Sequence, residues 1–239
     1  SQARNWALGG YFHQQDWQAD TVRIEKRRNV NDYRSFDWGL YAQTNWQLSE
    51  MTGRVGLDSD NRANVEITET QYSSSNEQQW SKTILEGDEY RGALYADANL
   101  ALAPLRVTAG ARMEYIQQTS QMTVSDHYTT GFIKLASSLN ETSNIEIDLG
   151  TGFRFPTLTE RFFDGSTARA QFIGNQDLKP EESKNALISY QLETELFSLS
   201  LQGFYNSIDN YIEKVAVDSE TLTYRNETTA EIYAGEIEI

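Results

Sequence analysis

The sequence predicts an all-β fold, an antiparallel transmembrane β-barrel segment of about ten meandering strands, and three observations carry that expectation. Residues 88–115 read as one hairpin. With a turn at Ala103 and Pro104, Leu102 opposes Leu105, Leu100 opposes Val107, Ala98 opposes Ala109, Ala96 opposes Ala111 and Leu94 opposes Met113, so one face is apolar throughout. Asn99 with Thr108, Asp97 with Gly110 and Tyr95 with Arg112 make the other face polar. The second observation is aromatic spacing. Phe36, Trp38, Leu40, Ala42, Thr44, Trp46 and Leu48 alternate with Asp37, Tyr41, Gln43, Asn45 and Gln47. From Phe36 to Trp46 is roughly 33 Å of strand at about 3.3 Å per residue, or about 25 Å of height at a tilt near 40°, the height of an outer-membrane apolar band flanked by aromatic girdles. A soluble sandwich also alternates, and its core tryptophans are the competing reading. The third observation is that short turns and longer polar loops alternate along the chain, as periplasmic turns and extracellular loops do.

In order, strands are expected near 3–14, 34–48, 52–72, 79–102, 105–124, 129–139, 144–155, 183–194, 196–215 and 222–239. The links at Ser49–Met51, Ala103–Pro104, Asn140–Ser143 and Glu195 are short, and 15–33, 73–78, 125–128, 156–182 and 216–221 are the loops of the opposite end. Ile145, Ile147, Leu149 and Phe153 alternate with Glu146, Asp148, Gly150 and Arg154. Ala186, Ile188, Tyr190 and Leu192 alternate with Ser189 and Gln191, with Leu187 the exception. A strand is still in progress over Tyr233–Ile239. Either ten strands close on themselves or the chain is part of a larger barrel.

Composition fits. The chain has 239 residues, 38% hydrophobic content and no cysteine, and a mean hydropathy of -0.61. No apolar run approaches the roughly 18 residues of a spanning helix, whereas half of a barrel's residues face water. The absence of cysteine removes disulfides and thiolate metal sites. A formal charge of -15 argues against a nucleic-acid partner.

Three segments carry a resemblance. Gly152-Phe153-Arg154-Phe155-Pro156-Thr157-Leu158 followed by Gly174-Asn175-Gln176-Asp177-Leu178-Lys179-Pro180-Glu181-Glu182-Ser183, and then Gly203–Ile212, resembles the barrel signature of TonB-dependent outer-membrane receptors. Gln176 stands where that family often has proline. The resemblance implies a barrel of about 22 strands, of which residues 1–239 form a part. It further implies an amino-terminal plug that these residues do not include. The activity implied is active transport of a scarce metal chelate, most commonly a ferric siderophore, energised by TonB acting on the plug. No enzyme chemistry or cofactor is implied, and the bilayer with its lipopolysaccharide is the remaining partner. Haem is disfavoured because residues 157–173 hold no histidine.

Physical roles can be assigned to the motif. Pro156 fixes its own φ and extends Phe155, ending strand pairing and launching the loop. Lys179-Pro180-Glu181 starts the next strand. Arg154 falls on the polar face, where it meets a carboxylate or an anionic ligand. Arg161, Phe162 and Phe163 line a vestibule or pack against neighbouring loops. Lys26, Arg27 and Arg28 stand out in an acidic chain as a site for lipopolysaccharide phosphates or an anionic chelate, against the plainer reading of a solvated loop offset by Asp20, Glu25 and Asp32. His13 and His127 are the two histidines; a ten-stranded outer-membrane protease using one beside a carboxylate, and a passive porin or adhesin, are the alternatives.

Overall fold

The computed structural model describes residues 5–23, 27–166 and 171–239. In chain order the elements are β1 (Trp6–Arg23), β2 (Arg27–Leu48), β3 (Met51–Ser73), β4 (Gln78–Leu102), β5 (Leu105–Thr119), β6 (Thr123–Ser138), β7 (Ser143–Arg154), α1 (Leu158–Phe162), β8 (Asp164–Ser166), β9 (Gln171–Ile173), β10 (Glu181–Glu193), β11 (Ser198–Asp209), β12 (Ile212–Ala216), β13 (Thr221–Asn226) and β14 (Thr229–Glu238). Ten of the strands form one antiparallel sheet, ordered β1-β2-β3-β4-β5-β6-β7-β10-β11-β14, and a smaller sheet has the order β12-β13-β9-β8. The strands β1 and β14 are the two edges of the large sheet and do not pair with each other. The ten strands therefore make an open wall and not a closed ring.

The hairpin of β4 and β5 has the register that alternation predicts, from Leu102 opposite Leu105 through Tyr95 opposite Arg112. Apolar rows continue across the wall: Ala42, Leu57, Leu94 and Met113 are successive cross-strand partners, as are Ala109, Ile133, Leu149 and Ala186. No described residue covers this face at Leu94 and Met113, which are each 62% exposed. A second sheet packed upon it, as in a sandwich, would have buried them.

The opposite face is built from charge. Arg112 bonds Asp58 through both terminal nitrogens at 2.7 and 2.8 Å, Arg54 meets Asp97 at 2.8 Å, Tyr11 donates to Asp60 at 2.5 Å, and Lys134 pairs with Glu146. Water on that side keeps such groups solvated where they are not paired.

Several boundaries differ from expectation. The expected loop 15–33 is instead the upper part of the β1–β2 hairpin, paired from Gln15 opposite Ser35 to Arg23 opposite Arg27. Ladder hydrogen bonds continue there without an apolar stripe because the strand has left the hydrocarbon and both faces meet water. The expected loop 125–128 lies inside β6, and the turn is at Ser120, whose N–H donates to the Met122 carbonyl. The expected strands 196–215 and 222–239 each divide. Asn210, at φ 55°, breaks the chain out of β11, and the β12–β13 hairpin leaves the wall before β14 rejoins it.

One bulge positions the site. The β2–β3 register shifts between Arg34 and Phe36, and the β3–β4 register between Arg62 and Val65, so β3 carries an extra residue at this level. Asn64 absorbs it at φ 52°, in the left-handed region that asparagine tolerates, and its N–H is satisfied by Asp88 Oδ1 at 2.7 Å. Above the bulge the alternation inverts. Val65 and Ile67, odd-numbered like Val55 and Leu57 on the apolar outer face, now point to the inner face, where Val65, Leu85 and Leu158 form a buried cluster.

Candidate functional site

Residues 155–166 and 171–180 belong to a strap that leaves β7, crosses the inner face of the wall at its loop end and returns as β10. Its departure is buried: Phe155 is 2% exposed, its ring is 4.8 Å from that of Phe153, and Phe153 in turn is 5.1 Å from Tyr128. Pro156 is fully buried. Thr157 and Glu160 then close a capping box, with Thr157 Oγ1 accepting from the Glu160 N–H and Glu160 accepting from the Thr157 N–H. This fastens the start of a five-residue helix too short to persist alone. Leu158 enters the buried cluster, and Phe162 and Phe163 pack on its margin beside Tyr33 and Ile67.

Two arginines tie the strap down. Arg161 is 1% exposed; it donates to Gln118 Oε1 at 2.8 Å, Asp126 Oδ2 at 2.6 Å and the Leu178 carbonyl at 2.8 Å. Gln118, fully buried, also donates to the Pro156 carbonyl at 2.8 Å. Arg154 makes a bidentate pair with Glu181 at 2.9 Å on both oxygens and reaches Glu160 at 2.8 Å. Glu181 then accepts the Ile212 N–H at 2.8 Å, where β12 begins. The motif thus joins β7, α1, β10 and β12 through one guanidinium and two carboxylates.

The return limb is fixed by shape and amides. A Cβ on Gly174 would lie 2.5 Å from the Arg161 backbone carbon, so only glycine permits the bond from Gly174 N–H to the Phe163 carbonyl. Asn175 donates to the Tyr224 carbonyl at 2.9 Å and accepts from the Asp177 N–H at 3.1 Å. Leu178 is 3% exposed, and Pro180 leads directly into β10. Asn226 brackets Lys179, accepting its N–H and donating to its carbonyl. Gly152 leaves the space into which Ser183 Oγ extends. The strap and the β12–β13 hairpin are one unit, with β9 pairing parallel to β13.

Charges on this unit have identifiable neighbours. Lys82 bonds Asp164 at 2.9 Å and holds that carboxyl below its usual range. Burial, with a smaller contribution from Glu160, pushes the Tyr224 hydroxyl up. The Lys214 ammonium sits 4.4 Å above the Phe172 ring and 5.8 Å from that of Tyr224.

Of the expected basic site, Lys26 lies outside the described residues. Arg28 bonds Asp20 at 2.7 Å and Asn76 at 3.1 Å, over the Tyr72 ring. Arg27, at the start of β2, makes no ion pair among the described residues. Among those residues no cluster of three or more histidine, aspartate or glutamate side chains is placed to hold a metal. His13 contacts Gln15 at 3.4 Å, and neither histidine pairs with a carboxylate among the described residues.

The sequence gives no structural role to Gln118, Asp126, Glu160 or Asn226, the last being notable there only as the start of an Asn-Glu-Thr sequon match. The Thr157-x-x-Glu160 spacing was the readable signal for one of them. The other three gain their roles from contacts 35 or more residues away or between loops, which no local pattern announces.

A wall with one face for hydrocarbon, one for paired charge, and a folded strap inside its loop end defines an outer-membrane barrel protein of the bacterial envelope. Residues 2–239 match the family described as TonB dependent receptor-like, beta-barrel. The chain belongs to the TonB-dependent receptor family. It is 36% identical over 91 residues to the vitamin B12 transporter BtuB of Photobacterium profundum, a stretch covering 37% of this chain and 14% of that protein. It is 26% identical over 119 residues to the vitamin B12 transporter BtuB of Vibrio vulnificus, covering 50% of this chain and 17% of that one. Among solved structures, the copper transporter OprC superposes with a TM-score of 0.77 at 15% identity, over 97% of this chain and 40% of that chain. The chain therefore spans a minor share of the relatives it matches.

Proposed function

We propose that the whole protein is an outer-membrane active-transport receptor for a scarce metal chelate of the ferric siderophore class, energised through TonB acting on a plug domain. The present residues supply ten strands of its wall and two linked segments of its mouth. The observation that supports this reading is the strap itself, a loop with its own buried cluster and two arginine ties, which gives the mouth a fixed surface for capture at low concentration. Phe162, Phe163, Lys26, Arg27 and Arg28 belong to that surface in this proposal, whereas Arg154 and Arg161 hold its shape. A corrinoid is the second reading, favoured by the similarity to the two vitamin B12 transporters.

The test uses the full-length receptor in cells with and without TonB, offered radiolabelled ferric siderophores and cyanocobalamin. Uptake that saturates at low ligand concentration and disappears without TonB is the expected result. Uptake that is linear in concentration and indifferent to TonB would establish a passive channel instead.

A further inference from the structure

The inner face carries one arginine that breaks the pattern of its neighbours. Arg54, Arg62, Arg91, Arg112 and Arg154 each meet a carboxylate at 2.7 to 3.1 Å. The exposed side chain of Arg106, on β5 beside the short turn at Ala103–Pro104, makes no hydrogen bond or ion pair with any described residue. Its cross-strand partners are Ala101 and Ala136, too short and apolar to answer it. Glu146, in register with Ala136, is taken by Lys134.

The same small residues leave a concavity of about 610 Å³ against the wall, and Arg106 lines it together with Glu146, whose charge Lys134 neutralises, and with Ser189, Gln191, Ser200 and Gln202. These four form no side-chain hydrogen bond among the described residues either. Five polar groups with free capacity thus converge on one basin at the turn end, opposite the mouth, and a guanidinium presents a planar fork of donors matched to carboxylate. Concave sites with a few convergent polar groups are where ligands bind.

We infer that this basin is a carboxylate-binding site, with Arg106 as the bidentate anchor and the serines and glutamines as secondary partners. The carboxylate comes either from an acidic side chain of protein enclosed by the complete barrel or from a free organic acid. The inference is independent of the transported ligand.

The experiment uses the full-length receptor in detergent micelles carrying Arg106→Lys, treated with a water-soluble carbodiimide with and without citrate and mapped by peptide mass spectrometry. A zero-length amide from position 106 to a carboxylate of the protein supports the site and identifies a resident partner. An amide to citrate, formed only when citrate is added, supports it and identifies a free ligand. Condensation at position 106 no greater than at the exposed Lys179 in both reactions overturns the inference. Should that variant fail to fold, the unaltered receptor is labelled with phenylglyoxal with and without citrate. Modification of Arg106 about tenfold slower than in the denatured chain is then expected in at least one condition, one decade in rate corresponding to about 1.4 kcal/mol, and equal rates in both overturn it.

Discussion

Replacing Arg161 by methionine in the full-length receptor should open the strap while leaving the wall intact. The substitution keeps most of the side-chain length but removes the donors to Gln118, Asp126 and the Leu178 carbonyl, the shortest of them at 2.6 Å. Breaking a buried ion pair by deleting one partner costs roughly 3–5 kcal/mol. Asp126 retains 24% side-chain exposure and regains some water, which brings the expected cost to about 2–4 kcal/mol. At about 1.4 kcal/mol per decade, the local opening equilibrium of the strap should rise roughly 30- to 700-fold. Hydrogen exchange in detergent micelles reads this directly, because amides such as those of Gly174 and Asn175 are bonded within the strap, while amides of β2–β5 report the wall. Unchanged exchange in the strap would refute the assignment of Arg161 as its tie. An equal loss of protection in the wall would refute the claim that the strap opens as a separate unit.

Other outcomes follow from the same geometry. Leu94→Arg, at mid-height of the apolar face, should destabilise the lipid-inserted receptor by about 2–4 kcal/mol in chemical unfolding; a cost near zero would mean that this face does not meet lipid. Gly53→Val should lower thermal stability by about 1–3 kcal/mol, because a Cβ there falls within 2.6 Å of the Asp97 carbonyl oxygen as well as against the Trp46 ring; an unshifted melt contradicts that crowding. Since Lys82 depresses the Asp164 carboxyl, its contribution is complete above the ordinary aspartate value of 3.8 and fades as pH falls through the lower folded value. Proteolytic nicking of the strap should therefore rise at acid pH in the native receptor and show a weaker pH dependence in Lys82→Met. Joint replacement of Lys26, Arg27 and Arg28 by alanine should weaken ligand uptake several-fold at low salt and less at physiological ionic strength; equal affinity at low salt removes these residues from the capture surface.

How far the fold could be read in advance depended on which solvent each segment meets. Between Leu94 and Met113, hydrocarbon on one side and water on the other imposes a period of two, and the register follows residue by residue. Above the hydrocarbon that constraint ends. Gln15–Arg23 and Arg27–Ser35 are strand with polar residues on both faces, so alternation carries no signal and turn-like composition misleads. The Pro156 break and the Arg154 and Glu181 positions were legible from the motif. Their union with Glu160 and Ile212 was not, since it arises when a strap folds back across strands distant in sequence. Likewise the sequence left Arg161 open between lining a vestibule and packing against neighbouring loops, because nothing local reveals that Gln118 and Asp126 wait beneath it.

The extra residue at Asn64 has a practical meaning for anyone recombining such receptors. A strand that faces oil at Leu57 and its own strap at Val65 is two half-strands sharing a splice, and the splice sets which surface every later side chain enters. Chimaeras cut below Asn64 must transplant the inserted residue with the upper half, whereas a cut that loses it would deliver Val65 and Ile67 to the outside and hollow the mouth from within.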